Sequence, residues 1–463
     1  MDIASLKAAL PGIKLEDNPR IVQRKSRDFY WYSPVLKRQL EHITGDILAV
    51  PKSEAEVVQI LGACFDNDVP VTVRGSGTGN YGQAMPLAGG LVLDVSAMTM
   101  VKHIGQGTVT VEPGAILAEI DKQTRPGGQE LRLSPSTYTT ASIGGFIAGG
   151  SGGVGSIHWG GLRDPGNIIS LRLVTMDGSE PTVITLEGAE IAKASHAYGT
   201  TGVITEVTMP LAPAYDWTDI LIAFDALDGA VRFGEHLAGM DGLLLKNLCV
   251  LDEYCTPHLK RHQPYLPKGA AMAVVVAAPF AASDVVILAE AAGGTVTLRT
   301  DMADPEAMAP LPPAFELGWN HTTLRAMKTD PSITYLQVLY PPPGITDRVL
   351  QMAKRFGPEV PTHLEFVRFD GAVGCFGLPL VQFTTEERLD EIIAIHEAAG
   401  APIFNPHRYT LEEGGMKQTD AVQLAFKHQA DPKGLLNPGK MIAWDDPDFD
   451  YGKPYLFPTL ATA

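Results

Sequence analysis

The segment Val71-Thr-Val-Arg-Gly-Ser-Gly-Thr-Gly-Asn-Tyr-Gly82 sets a glycine-rich turn directly after a β-rich run. Without side chains in the way, its successive backbone N–H groups can form a nest that binds a pyrophosphate. Gly77, Gly79 and Gly82 also spell G-x-G-x-x-G, the fingerprint of a nicotinamide-binding unit. That unit needs the turn to open a crossover helix, and a parallel crossover takes about a dozen residues or more. Here only Gln83–Gly90 precede the next strand-like run, Leu91-Val-Leu-Asp94, and Pro86, Gly89 and Gly90 keep that linker from being a helix. Asp94 mimics a ribose-binding acid but comes too early. The turn is therefore read as a phosphate-cradling loop between strands.

A second glycine-rich region runs from Leu133 to Gly155. Its composition alone suits a linker. However, Ile143, Phe146, Ile147 and Val154 are spaced within it, and a flexible linker has no use for them. Close backbone approach to a flat ligand explains both the glycines and the apolar residues.

Other elements must position these loops. Ile47–Val50 reads as a strand, and Ser53-Glu-Ala-Glu56 as a capping box opening a helix. Val69–Val73, Thr108–Val111 and Ile168–Thr175 read as strands, and Ala115–Thr124 as a helix. Beyond about Ala214, strand-like runs such as Ala273–Ala277 and Ile333–Leu339 alternate with helix-like stretches, as in an α+β domain with an antiparallel sheet. A second capping box, Thr384-Thr-Glu-Glu387, precedes a helix through His396 and Ala399. The expected organisation is an N-terminal helical segment at 1–45, a ligand-binding domain at 46–213, a substrate domain at 214–400 and a returning C-terminal segment at 401–463.

A chain of 463 residues can bury a large core, and its net charge of −17 without a run of Lys or Arg argues against nucleic acid and anionic membranes. Met1–Pro11 lacks the basic start of a secretory signal, and no apolar stretch is long enough to span a bilayer. Cys64, Cys249, Cys255 and Cys375 lack zinc-type spacing. They suggest free thiols in the cytoplasm, and no metal site is expected.

Four motifs in order resemble the flavin oxidoreductases of the vanillyl-alcohol oxidase type, with a PCMH-type FAD-binding domain. They are Arg74-Gly-Ser-Gly-Thr-Gly79, Ala141-Ser-Ile-Gly-Gly145, Gly199-Thr-Thr-Gly-Val-Ile-Thr-Glu206 and Asp431-Pro-Lys-Gly-Leu-Leu-Asn-Pro-Gly-Lys440. The resemblance covers about Ile47–Leu211 and Asn405–Met441. It implies an α+β fold, a two-part PCMH-type FAD-binding domain with a substrate (cap) domain of antiparallel sheet and flanking helices. It also implies FAD as cofactor. Arg74, Gly75, Ser76, Gly77, Thr78, Gly79 and Asn80 would form the first pyrophosphate loop. Ser142, Gly145 and Gly149 would line the ligand from the second side, and Ile204 would touch the adenosine portion. Asn437 or Lys440 would lie near the isoalloxazine, although Asn437-Pro-Gly439 alone reads as an ordinary turn. Many relatives carry in the first loop a histidine bonded to the flavin. Here Thr78 takes that position, so non-covalent FAD is expected, with His321 and His407 as other attachment candidates.

Flavin oxidation of an alcohol needs a carbon held near flavin N5 and a group that takes up the hydroxyl proton. Trp319-Asn-His-Thr-Thr-Leu-Arg325 offers His321 and Arg325, His363-Leu-Glu-Phe-Val-Arg368 offers Glu365, and Asn405-Pro-His-Arg-Tyr409 offers His407. Tyr335 and Gln337 would share a face of their strand. Lactate-type relatives hold a metal with an E-H-G-type motif, where this chain has Leu411-Glu-Glu-Gly-Gly-Met416. That points away from a metal-assisted 2-hydroxyacid oxidation and towards a small organic alcohol or phenol. The electron acceptor is oxygen or a soluble redox partner, with bare Gly144 and Gly145 leaving room for oxygen. A homo-oligomer is compatible with this reading. The competing readings are an electron-transferring or non-catalytic flavoprotein subunit and, less favoured, an NAD-dependent dehydrogenase.

Overall fold

A computed structural model describes residues 3–150, 152–369 and 372–450. The end of the expected C-terminal segment, 451–463, lies outside the described residues. The chain forms two compact units. Among the described residues the first takes 3–150, 162–214 and 405–450, and the second takes 152–161 and 215–404.

The first unit holds two sheets. In the smaller, Leu15–Glu16, Ile47–Ala49, Leu91–Asp94 and Val71–Arg74 lie side by side in that order. The last three strands are parallel. Val71–Arg74 and Leu91–Asp94 are thus parallel neighbours joined by the non-helical residues 75–90. The C-terminal segment extends the edge: Val71 bridges Leu436, and its N–H donates to Leu435 O at 2.8 Å. The helix Glu54–Asp66 packs its buried Val57, Ile60, Leu61 and Cys64 into the core shared with Ile47, Val71, Leu91 and Leu93. Ser53 caps that helix by accepting Glu56 N–H, while the Glu56 carboxylate reaches back to Lys52 N–H instead of Ser53. The larger sheet is antiparallel and centred on Val203–Pro213, which pairs with Thr108–Val111, Gln129–Leu131 and Ser170–Val174.

The second unit is built on a seven-stranded antiparallel sheet. At its centre Ala271–Ala277 is wholly buried between Thr218–Phe224 and Leu245–Leu251. Leu245–Leu251 pairs on its other edge with His363–Phe369, which pairs in turn with Ala372–Gly377. Helices Leu227–Ala238, Ala282–Ala291, Trp319–Thr329, Ile345–Phe356 and Glu386–Ala398 belong to this unit.

Several local expectations shift. The helix expected from Ala115 begins at Leu117, because Ala115 O is taken by Ile143 N–H. The second capping box is capped by Thr385, which accepts Arg388 N–H, one residue later than Thr384. The run Ile333–Leu339 is not one strand. It breaks into Ile333–Tyr335 and Val338–Tyr340, which lie in different sheets. At the break Leu336 N–H donates to Pro379 O and Gln337 O accepts Phe404 N–H, so Tyr335 and Gln337 do not share a strand face.

Candidate functional site

In the first unit, the loop after Val71–Arg74 is held from behind. The buried Arg74 guanidinium donates to the carbonyls of Lys25, Arg27, Gly75 and Ser76 and shapes the turn around itself. Gly77 has φ +69°, and a Cβ there would stand 2.1 Å from Arg74 Nη2. Ser76 N–H donates to Ser142 Oγ at 3.2 Å. Among the described residues, the N–H groups of Gly77, Thr78, Gly79 and Asn80 have no hydrogen-bond partner.

The second glycine region is ordered and partly helical. Ile143–Gly149 forms a short helix with Ile143, Phe146 and Ile147 buried. Ser142 precedes it without capping it, and Gly145 N–H is unpartnered in its first turn. This helix starts against the first loop: a Cβ on Gly75 would lie 2.1 Å from Ser142 Oγ and 4.0 Å from Gly145 N. The two glycine loops therefore meet at Gly75, where no side chain fits, and both carry unpartnered amides among the described residues. Bare amides of this kind are what an anion nest offers. Gly144 has a different duty, because a Cβ there would stand 2.6 Å from Pro113, so its bareness serves packing and leaves no room for oxygen.

Gln83, which the sequence reading passed over, ties the two loops together. Its Oε1 accepts Tyr81 N–H at 3.2 Å and its Nε2 donates to Gly149 O at 3.2 Å. His196 and Tyr198 were also passed over. Both are buried with positive φ, and their N–H groups donate to Ile147 O and Ala148 O. Burial and the nearby Arg163 charge pull the His196 imidazole down to about 3, so it is neutral at physiological pH.

The C-terminal segment closes the arrangement. Asn437, at φ +43°, donates through Nδ2 to Gln83 O at 2.9 Å and Tyr198 O at 2.7 Å, and through its N–H to Val71 O. Asn tolerates the left-handed conformation this clamp needs. Lys440 is fully buried, donates to Gly82 O at 2.6 Å and sits over the Tyr409 ring. Burial pulls its ammonium down to about 7 against the opposing pull of Asp28. Asp28 is itself pushed up to about 6 by burial, while accepting Tyr30 and Ala84 N–H groups. Ile204 lies buried in the central strand of the larger sheet, opposite Leu173. His407 also belongs to this unit. It is buried, with Nδ1 2.7 Å from Ser33 Oγ, and Ser33 caps the helix Pro34–Leu40 by accepting Leu36 N–H.

The second unit holds the other catalytic candidates. His321 and Arg325 lie one turn apart on Trp319–Thr329. Burial, with the Arg325 charge adding to it, pulls His321 down to about 4, and its Nδ1 has no partner among the described residues. Arg325 is engaged by Glu316, at 3.0 Å to the carboxylate and 3.2 Å to the carbonyl. Tyr335 is fully buried on Ile333–Tyr335. Glu365 Oε1 accepts Trp319 N–H at 2.5 Å and lies 2.8 Å from His363 Nε2. Arg368 faces the other way and pairs with Asp241, so it does not pair with Glu365. Within Leu411–Met416, Glu412 accepts Ile442 and Ala443 N–H groups and serves as a backbone brace.

Solved structures share this α+β fold. A 4-ethylphenol oxidase from Gulosibacter chungangensis superposes with TM-score 0.68 at 17% identity, over 94% of this chain and 95% of that one. An alkyldihydroxyacetonephosphate synthase gives TM-score 0.70 at 17% identity, over 95% and 84%. Residues 45–183 match the FAD binding domain family. An FAD-linked oxidoreductase of Mycobacterium tuberculosis is 32% identical over 199 residues, 40% of this chain and 42% of the relative. The chain thus spans less than half the length of that relative. Glycolate oxidase subunit GlcD of Bacillus subtilis is 25% identical over 443 residues, 86% of this chain and 89% of the relative. Residues 45–183 are thus similar to an FAD binding domain that FAD-linked oxidoreductases share, and FAD is the cofactor this likeness supports.

Proposed function

We propose that the protein oxidises a small organic alcohol or phenol, using non-covalently held FAD. The observation that carries this reading is the set of unpartnered amides at Gly77–Asn80 and Gly145 on two loops that meet at Gly75, inside the segment that matches the FAD-binding domain. When bound, the flavin supplies the hydride-accepting N5.

The chain's own residues divide the remaining work. Gly75, Ser76, Gly77, Thr78, Gly79, Asn80 and Gly145 hold the pyrophosphate, with Arg74 and Ser142 fixing the loop. Asn437 locks the tail against Gln83 and Tyr198, and Asn437 or Lys440 would lie near the isoalloxazine. His407 takes up the substrate proton, with its ring oriented through Nδ1 by Ser33. A neutral substrate is favoured over a carboxylate because Arg325 is already committed to Glu316. The absence of histidine in Leu411–Met416, together with the bracing role of Glu412, argues against metal-assisted hydroxyacid chemistry. Oxygen or a soluble redox partner would reoxidise the flavin.

The test has two stages. Acid precipitation should leave FAD in the supernatant, identified by mass, and nicotinamide or no cofactor would overturn the reading. Anaerobic titration with alcohols, phenols and 2-hydroxy acids should then bleach the flavin. Bleaching by 2-hydroxy acids alone would refute the substrate class. A failure of every compound would favour an electron-transferring subunit.

A further inference from the structure

Outside the flavin cradle, the second unit contains a buried cluster with the donor chemistry of a metal centre. Cys249 and Glu365 stand directly opposite one another on paired antiparallel strands. His363 lies two residues from Glu365, on the same face of its strand. One ligand atom from each of the three lies within 4.8 Å of the other two. All three side chains are fully buried, at 0%, 0% and 1% exposure for Cys249, His363 and Glu365. Zinc-type spacing in the sequence gives no sign of this set, because the ligands come from two strands far apart in the chain.

The surroundings are shaped to this cluster. Gly318 passes so close that a Cβ would stand 2.3 Å from Glu365 Oε1 and 3.4 Å from Cys249 Sγ. The next residue, Trp319, is held at φ +48°, a conformation costly for an aromatic residue, and it aims its N–H at Glu365 Oε1. Such a hydrogen bond orients a carboxylate ligand and leaves its second oxygen for a cation. That second oxygen, Oε2, is buried with no hydrogen-bond partner among the described residues, and His363 presents its Nε2 to the cluster, 2.8 Å from Glu365 Oε1. An unsatisfied carboxylate oxygen in a dry core is costly unless a positive charge meets it.

We infer that Cys249, His363 and Glu365 bind one zinc ion inside the second unit. A sulfur, a nitrogen and an oxygen form a donor set that borderline-soft Zn²⁺ accepts, and a fourth corner is left for water. The charges support it: a thiolate, a carboxylate and a neutral imidazole sum to −2, which the dication cancels, so the filled site can be buried without net charge. Binding forms the Zn–S bond and releases the Cys249 thiol proton to solvent.

The test is metal analysis of the full-length holoprotein grown with zinc. The parent should carry about one zinc per chain, and zinc-edge X-ray absorption should show one sulfur at about 2.3 Å with lighter ligands at about 2.0–2.2 Å. Cys249→Ser should remove the sulfur signal, and Glu365→Gln, which keeps the acceptor for Trp319 N–H, should lower zinc content at least ~10-fold. Cys375→Ala, a nearby thiol outside the set, should keep the metal. Should either ligand variant fail to fold, the ligand set of the parent decides alone. A parent free of zinc after refolding with zinc, or zinc without a sulfur ligand, overturns the inference. So does zinc with unchanged sulfur scattering in Cys249→Ser.

Discussion

Replacing Gly77 with valine should abolish most FAD affinity while leaving the fold. The cause lies within the protein, before any ligand arrives. At φ +69° a Cβ at this position would stand 2.1 Å from Arg74 Nη2, 2.9 Å from Cζ and 3.1 Å from Arg27 O. The guanidinium cannot simply swing aside, because it is buried and donates to two carbonyls of the turn, Gly75 and Ser76, and to those of Lys25 and Arg27 behind it. Left-handed backbone costs a non-glycine residue about 1–2 kcal/mol. Losing one hydrogen bond from a charged donor costs about 1.5–3 kcal/mol more. If that total of roughly 2.5–5 kcal/mol falls on the binding-competent loop, affinity drops roughly 60- to 4,000-fold, at about 1.4 kcal/mol per tenfold. Titrating apoprotein with FAD by flavin fluorescence gives the affinity, and circular dichroism reports the fold. Gly12→Ala is the control, since Gly12 has φ +87° but no atom within 4 Å of a built Cβ. FAD affinity within about threefold of the parent in folded Gly77→Val, against the tenfold scale above, would refute the account of Arg74 and the loop.

Two further outcomes follow from the first unit. Native Asp28, raised to about 6, keeps its proton above the ordinary carboxylate range, so its contribution to apoprotein stability falls as pH rises to about 6. Native Lys440, lowered to about 7, lacks a proton that the unfolded chain holds up to the ordinary lysine value, so stability rises again above about 7. Urea melts should show a trough between those values that shallows in the double variant Asp28→Asn, Lys440→Met, and an equal trough in both proteins would remove the pair as its cause. His407→Ala, saturated with FAD, should slow flavin reduction by ~10²-fold, the scale of a lost general base. Stopped-flow rates near the parental value, coupled to a lower melting temperature, would instead make His407 a brace for Ser33.

The parts of this site that were legible in the sequence are the local ones. Glycines at Gly75, Gly77 and Gly79 marked a bare-backbone loop, and Ser53 marked a helix start, because each effect acts within a few residues. The clamp at Asn437 was not legible as a clamp. Its meaning depends on Gln83 O, Tyr198 O and Val71 O, three carbonyls supplied by remote parts of the chain. Gln83 was missed because nothing in its neighbours says that Gly149 O will be its acceptor. The same limit applies in the second unit. A pattern suited to one strand, Ile333–Leu339, is interrupted because Pro379 O and Gln337's partner Phe404 N–H draw the backbone away. Cys249, His363 and Glu365 meet only through strand register.

On the proposed reading, the cradle would let a chain of net charge −17 hold a pyrophosphate without a row of basic side chains. The cations nearest the loop are committed to the protein. Arg74 is spent on backbone carbonyls, Lys25 lies 2.6 Å from Asp94 Oδ2, and Lys440 donates to Gly82 O. What remains available to the ligand is the set of backbone dipoles at Gly77–Asn80 and Gly145. Such dipoles are fixed by the fold and lose no rotamer freedom on binding, unlike lysine side chains recruited from solvent. The arrangement therefore rests on keeping the loop's shape. That is why the buried arginine, the glutamine strut and the asparagine clamp all act on carbonyls of the two loops and the turn beside them.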